Sequence, residues 1–187
     1  LRLHVDGYWR DIGTIETFYE ENLRLTDAMP PMDIFDESWQ IFTRQRNLAP
    51  AKFENSTVEQ SIVSEGAILI SARIRHSIIG LRFRVGAGTT IEDTIAMGGD
   101  YYQSVDQMSA DAANNVPYIG VGSNCLIKRA IIDKNVRIGD NVRIVNEKDV
   151  KEADGPNYYI RDGIVIIPKG ATIPSGPFTY EGDDGSA

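Results

Sequence analysis

Between Leu126 and Ile144 the chain reads LIKRAI-IDKNVR-IGDNVR-I, with aliphatic residues at Leu126, Ile132, Ile138 and Ile144, six apart each time. Ala130, Val136 and Val142 follow the first three of these at a distance of four residues. An apolar stripe on an α-helix recurs every 3.6 residues and an alternating strand every two, so neither element produces this rhythm. A period of six fits a short strand, a tight corner and another short strand, with each aliphatic turned inward. The groups Asp133-Lys-Asn135 and Gly139-Asp-Asn141 take the corners, where Gly and Asn tolerate positive φ. Repetition of such hexapeptides predicts a parallel β-helix.

The rhythm covers most of the chain. Ile62, Ile68 and Ile74 are spaced by six, with Gly66, Ala72 and Ile78 four residues later. After a one-residue slip it resumes at Val85, Ile91 and Met97, with Thr89 and Ile95 in the fifth places. Residues 98–118 (GGDYYQSVDQMSADAANNVPY) break it and predict a loop leaving one corner. The stretch from Val121 to Cys125 restarts it, and a charged second excursion, 145–158, ends in Gly155-Pro156 and Tyr158. Ile167 to Ala171 and Ile173 to Gly176 close a series of roughly six coils, at three hexapeptides per coil. A stack exposes its two ends, and Phe178 and Tyr180 are candidates to cap one of them.

Upstream the pattern changes. Residues 1–12 (LRLHVDGYWRDI) alternate apolar residues and predict strand, turn, strand, with Asp6-Gly7 as the turn. Thr14 is an N-cap candidate, and Ile15, Phe18, Tyr19 and Leu23 then recur at helical intervals, with Glu16 in the first turn. This helix should end near Thr26, because Pro30-Pro31 cannot continue it. Alone, the piece cannot bury its apolar face and reads as the tail of a larger domain. Residues 29–52 show little periodicity and predict an extended connector whose Phe35, Trp39, Ile41 and Phe42 pack against something. The predicted divisions are 1–28, 29–52 and 53–187.

Composition narrows the function classes. A chain of 187 residues holds one domain, or one domain and a fragment. The formal net charge of -8 and pI of about 4.8 argue against nucleic acid as the main partner, while leaving room for local basic pockets. The single Cys125 excludes an intrachain disulfide framework, suits a reducing compartment, and falls at an inward fifth place, as core rather than reactive thiol. No apolar run approaches membrane-spanning length, so no membrane partner is expected. The chain opens on Leu1 without a methionine, and nothing there reads as a signal or transit peptide; a longer parent sequence is expected.

A β-helix is a scaffold, so function must come from its side chains. Hexapeptide proteins include acyltransferases, nucleotidyltransferases with an appended β-helix, and structural assemblies. An acyltransferase needs a histidine base, and of His4 and His76 only His76 (in IRHSII) lies in the repeat. A partly exposed histidine on one face is the simpler reading, because nothing near it in sequence supplies an evident orienting carboxylate.

At Gly7-Tyr-Trp-Arg-Asp-Ile-Gly-Thr14 the sequence resembles the end of a sugar-nucleotide pyrophosphorylase domain. With the block KRAIIDKNVRIGDN at 128–141 after it, the chain resembles the glucose-1-phosphate adenylyltransferase (ADP-glucose pyrophosphorylase) family. Residues 43–52, 76–81, 97–102 and 164–176 also fit, and the ordered combination carries the resemblance. It implies a mainly β fold: a left-handed parallel β-helix of hexapeptide repeats, preceded by a strand-helix remnant of an α/β nucleotidyltransferase domain. It implies the conversion of ATP and α-glucose 1-phosphate to ADP-glucose and pyrophosphate in glycogen or starch synthesis, with Mg²⁺ as cofactor. It further implies a homotetramer or heterotetramer, in the cytoplasm or, in a plant or alga, the plastid.

The same resemblance carries roles onto single residues. Asp11, in the Trp-x-Asp-x-Gly-Thr motif, would be one of two carboxylates holding the metal; its alternative is capping the helix that follows. Lys134 and Lys169 match lysines that bind phosphorylated effectors, and Arg44 and Arg46 match connector positions that bind anion. The alternative for all four is ordinary solvated charge. Arg129, Arg137 and Arg143 read as exposed charges on the β-helix faces. The family's Gly-rich nucleotide loop, its partner aspartate and its sugar-binding segments lie upstream and are absent from this sequence. The 187 residues are therefore expected to be a regulatory and assembly part, inactive alone. A stand-alone acyltransferase and a non-catalytic scaffold remain the alternatives.

Overall fold

The computed structural model describes residues 7–176. Short parallel strands stack rung upon rung around one apolar interior. One side of the stack is a six-stranded parallel sheet that begins at Lys52–Glu54 and ends at Thr172–Ile173. The other two sides share three long strands, Arg73–Ile79, Thr90–Ala96 and Leu126–Ile132, each of which turns a corner in its middle. The corner residues are His76, Asp93 and Arg129, all at positive φ. Six rungs on the first side match the expected number of coils. Each coil is shorter than three hexapeptides, however: Ile68 lies over Arg84, and Ile74 over Ile91, so the rise from rung to rung takes 16 or 17 residues. The one-residue slip before Val85 follows from this shorter turn.

The interior columns are Leu69–Val85–Val121–Ile138–Ile173, Ile74–Ile91–Ile127–Ile144, and Ile79–Ala96–Ile132–Ile167, all buried. The predicted phase is corrected by one residue at several places. Leu126, Ile62, Ile68, Ile78 and Met97 are only partly buried, while their neighbours Ile127, Val63, Leu69, Ile79 and Ala96 point inward or pack on the core. A bend costs a residue, so inward positions fall five apart across it (Ile127 to Ile132); Leu69 to Ile74 is also a step of five, while Ile79 to Val85 and Ile132 to Ile138 are steps of six. Hydroxyls satisfy the backbone at the bends. Ser77 Oγ accepts from Thr94 N at 3.1 Å and donates to Arg75 O at 2.8 Å, and Thr89 Oγ1 accepts from Cys125 N at 3.1 Å. Among the described residues no buried side-chain nitrogen or oxygen lacks a partner, as a dry interior requires.

Helix α1 (Ile15–Leu23) starts at Thr14, whose side chain and that of Thr17 form a reciprocal cap. A short 3₁₀ turn extends it to Thr26. Tyr19 and Leu23 are buried against Ile95, Ile131 and Ile164 on the outside of the stack, so Ile95 faces the helix rather than the interior. Residues 8–12 carry no strand, against the expectation; residues 1–6, the other half of the predicted strand-turn-strand, lie outside the described region, as do Phe178 and Tyr180. Residues 29–51 form no strand or helix, and Phe35, Trp39, Ile41 and Phe42 stand exposed, between 53% and 92%. Among the described residues nothing covers them.

Both excursions are structured, contrary to the loop expectation for the first. Helix α2 (Val105–Ala113) occupies it, capped reciprocally by Ser104 and Gln107. The second excursion runs on to Gly163 and folds as a hairpin of Glu152–Gly155 and Tyr158–Arg161, which extends the sheet through Ile164–Ile167.

Candidate functional site

The corner leading into the six-stranded side repeats a left-handed residue on successive coils, among them Asn135 (φ 61°) and Gly170 (φ 71°). Lys134 and Lys169 immediately precede these two, and Gly170 N donates to Lys134 O at 3.0 Å. Because Arg137 lies over Thr172 one strand later, the two lysines occupy the same place on consecutive coils. Their ammonium groups meet at one carboxylate. Lys134 Nζ is 3.2 Å from Asp100 Oδ1, and Lys169 Nζ is 3.4 Å from Asp100 Oδ2.

Asp100 was not among the residues singled out from the sequence, since it sits in an excursion with no periodicity to mark it. The surrounding contacts fix its place. Gly98 leaves the corner at φ 92°, Asp100 N donates to Asn135 Oδ1 at 2.8 Å, and Tyr102 Oη donates to Gly66 O at 3.1 Å. The Asp100 carboxylate also accepts from Asn135 Nδ2 at 3.0 Å. That amide first, then the two ammonium groups, hold its pKa down at about 2. All three charged side chains are about half exposed, and ion pairs so open to solvent add little to stability. Two cations brought side by side for so little stability form an arrangement suited to an anion.

The other predicted site residues stand apart from this corner. Arg46 donates to Arg44 O at 3.1 Å within the exposed connector, and among the described residues no hydrogen bond or ion pair joins either arginine to the lysines. Asp11 is exposed in a shallow hollow with Trp9, Arg10, Gly13, Thr14 and Thr17. Thr14, not Asp11, caps α1, so the capping alternative for Asp11 is overturned. No group of three or more metal-ligating side chains exists among the described residues; Asp11 is one exposed carboxylate, an oxygen donor of the type a hard cation such as Mg²⁺ takes only together with further oxygens.

Two expectations about neighbours are corrected. His76 does have a carboxylate beside it: Asp93, the corner residue of the next coil, lies 2.6 Å away, from Oδ1 to Nδ1. Sequence spacing hid the pair, since 17 residues separate corners that the coil brings into register. Asp93 O also accepts from the Tyr19 hydroxyl, whose pKa burial pushes up, and Arg129 covers the Tyr19 ring. Arg137 is not a free surface charge; it is 2.7 Å from Asp111 Oδ2 and donates to Pro117 O, tying α2 to the stack. Arg143 pairs with Glu147. Cys125 is buried as expected, its thiol pushed up by desolvation.

A family model described as the GLGC left-handed parallel beta-helix domain matches residues 46–178. The chain belongs to that family. This left-handed β-helix domain is the C-terminal part of glucose-1-phosphate adenylyltransferase, a nucleotidyltransferase family. The match covers every rung of the stack, both excursions, and the corner at which Lys134, Lys169 and Asp100 meet, so in this chain the cation pair lies on the coils of the matched domain.

Proposed function

We propose that this chain is the regulatory and assembly part of a glucose-1-phosphate adenylyltransferase, and that Lys134 and Lys169 together bind the phosphate group of an effector. The observation that carries the proposal is the convergence of the two ammonium groups on one carboxylate. A lysine offers three rotatable donors and a point charge, and two of them side by side match a phosphate dianion. In the intact enzyme the reaction joins ATP and α-glucose 1-phosphate into ADP-glucose, releasing pyrophosphate. Mg²⁺, when bound, would supply charge neutralisation on the phosphates, and Asp11, a few residues ahead of α1, would help to hold it through its carboxylate. Nucleotide and sugar are held by segments outside these 187 residues. The uncovered Phe35, Trp39, Ile41 and Phe42 supply apolar area to the catalytic half or to another subunit of a tetramer. Arg44 and Arg46, in the same connector, add anion-binding charge once that surface is covered.

The acyltransferase alternative gains an oriented histidine in the His76–Asp93 pair. The hollow beside that pair, about 410 Å³, is nonetheless lined by Glu20, Asp27 and Asp93 against Arg24 and Arg129. Three carboxylates against two guanidinium groups disfavour the diphosphate of an acyl-CoA. The pair is better accounted for as a clamp between two coils and α1.

Isothermal titration of the chain with phosphate, fructose 1,6-bisphosphate and 3-phosphoglycerate tests the effector reading. Saturable binding by at least one of them, weakened about tenfold or more in Lys134→Ala and in Lys169→Ala, is the expected result. Equal heats for the parent chain and both variants would refute it.

A further inference from the structure

The lysine corner is already filled by a part of the chain itself. Asp100 presents two oxygens to three donors, Lys134 Nζ, Lys169 Nζ and Asn135 Nδ2, at 3.2, 3.4 and 3.0 Å. These are the donors that an incoming phosphate would need. We propose that Asp100 is a tethered occupant of this anion site, and that an effector phosphate binds by displacing its carboxylate. The inference rests on the effector reading above.

Three observations support displacement over joint occupancy. A second anion held beside an ionised Asp100 would meet like charge at hydrogen-bond range, and this carboxylate stays ionised throughout the neutral range. The side chain is 42% exposed, so on leaving the lysines it enters water at little desolvation cost. Finally, the anchors of its loop do not depend on its charge. The Asp100 N–H to Asn135 Oδ1, Tyr102 Oη to Gly66 O, and an Arg82 guanidinium N–H to Gly99 O bonds all remain when the carboxylate swings away.

Self-occupancy has a selective consequence. A ligand must outcompete a monoanion that is present at the site in every molecule, so its apparent affinity falls by the fraction of molecules in which the site is open. A phosphate dianion brings more charge and more acceptor oxygens than the carboxylate it replaces. Monoanions bring no such surplus and are kept out. Asp100 thereby sets both the threshold concentration and the preference for dianions.

The test uses the full 187-residue chain and inorganic phosphate, followed by amide NMR shifts at constant ionic strength. Asp100→Asn removes the charge and keeps the shape; Asp100→Ser removes the reach as well and guards against the amide acting as a substitute acceptor. The expected result is phosphate binding about tenfold tighter in both variants than in the parent chain, with nitrate or chloride now competing measurably. Equal or weaker phosphate binding in both variants, while Lys134→Ala abolishes it, would overturn the role of Asp100 and leave the lysine site standing. Absence of phosphate binding in the parent chain and in both variants would overturn the site and this inference together.

Discussion

Ile127 is fully buried between Ile91 and Ile144, while its neighbour Leu126 stays half-buried on the outer surface. Truncating a well-packed core isoleucine removes its transfer free energy and leaves a cavity, so Ile127→Ala should cost about 2 to 5 kcal/mol. Leu126→Ala should cost about 1 kcal/mol or less. Urea denaturation of the two variants checks the register, and the opposite order would mean that the strand is turned over. The hexapeptide rhythm locates the inward positions only to within one residue, and the reason is physical. Leu126-Ile127, Ile78-Ile79 and Ile131-Ile132 are adjacent aliphatics, one lining the interior and the other lying outside it. Composition cannot distinguish the two faces of a strand when both are apolar. The lysines were legible through the resemblance alone. Asp100 was not legible at all, because its role depends on a loop folding back over a corner two coils' worth of sequence away.

The elements added to the stack differ in how firmly they are held. Helix α1 buries Tyr19 and Leu23 on Ile95, Ile131 and Ile164 and should stay protected with the strands beneath it. Helix α2 buries no residue, and its ties are polar: Arg137 to Asp111 and Pro117 O, and Gln103 Nε2 to Asp111 Oδ2 at 2.6 Å. Arg137→Ala should therefore speed amide exchange in residues 105–113 by about tenfold or more, with little change in the strand Leu126–Ile132. Hydrogen exchange read by mass spectrometry separates the two regions, and uniform acceleration would show that the arginine supports the core instead. Of these elements α1 was readable from its cap and its period. The first excursion contains a Ser-x-x-Gln cap at 104–107, a helix-start signal present in the sequence, whereas the loop expectation rests only on the break in the six-residue rhythm. The hairpin at 152–161 closes with the Pro156-Asn157 turn after Gly155 and pairs with the nearby strand Ile164–Ile167, which joins the stack through Leu126–Ile132, a partner distant in sequence.

Across the whole molecule, a six-rung stack gives rigid spacing between corners, and such spacing lets side chains far apart in sequence share one ligand. Lys134 and Lys169 are held in register by the backbone beneath them, with the Gly170 N to Lys134 O bond joining their coils. The regulatory reading depends on this register more than on either lysine alone. A double-mutant cycle measures it most directly, using phosphate affinity of the parent chain, Lys134→Ala, Lys169→Ala and the double variant. If the two ammonium groups serve one anion, the second removal costs much less than the first, and the coupling reaches about 1 kcal/mol or more. Additive losses, or the loss of binding with one lysine and full retention with the other, would contradict a shared site.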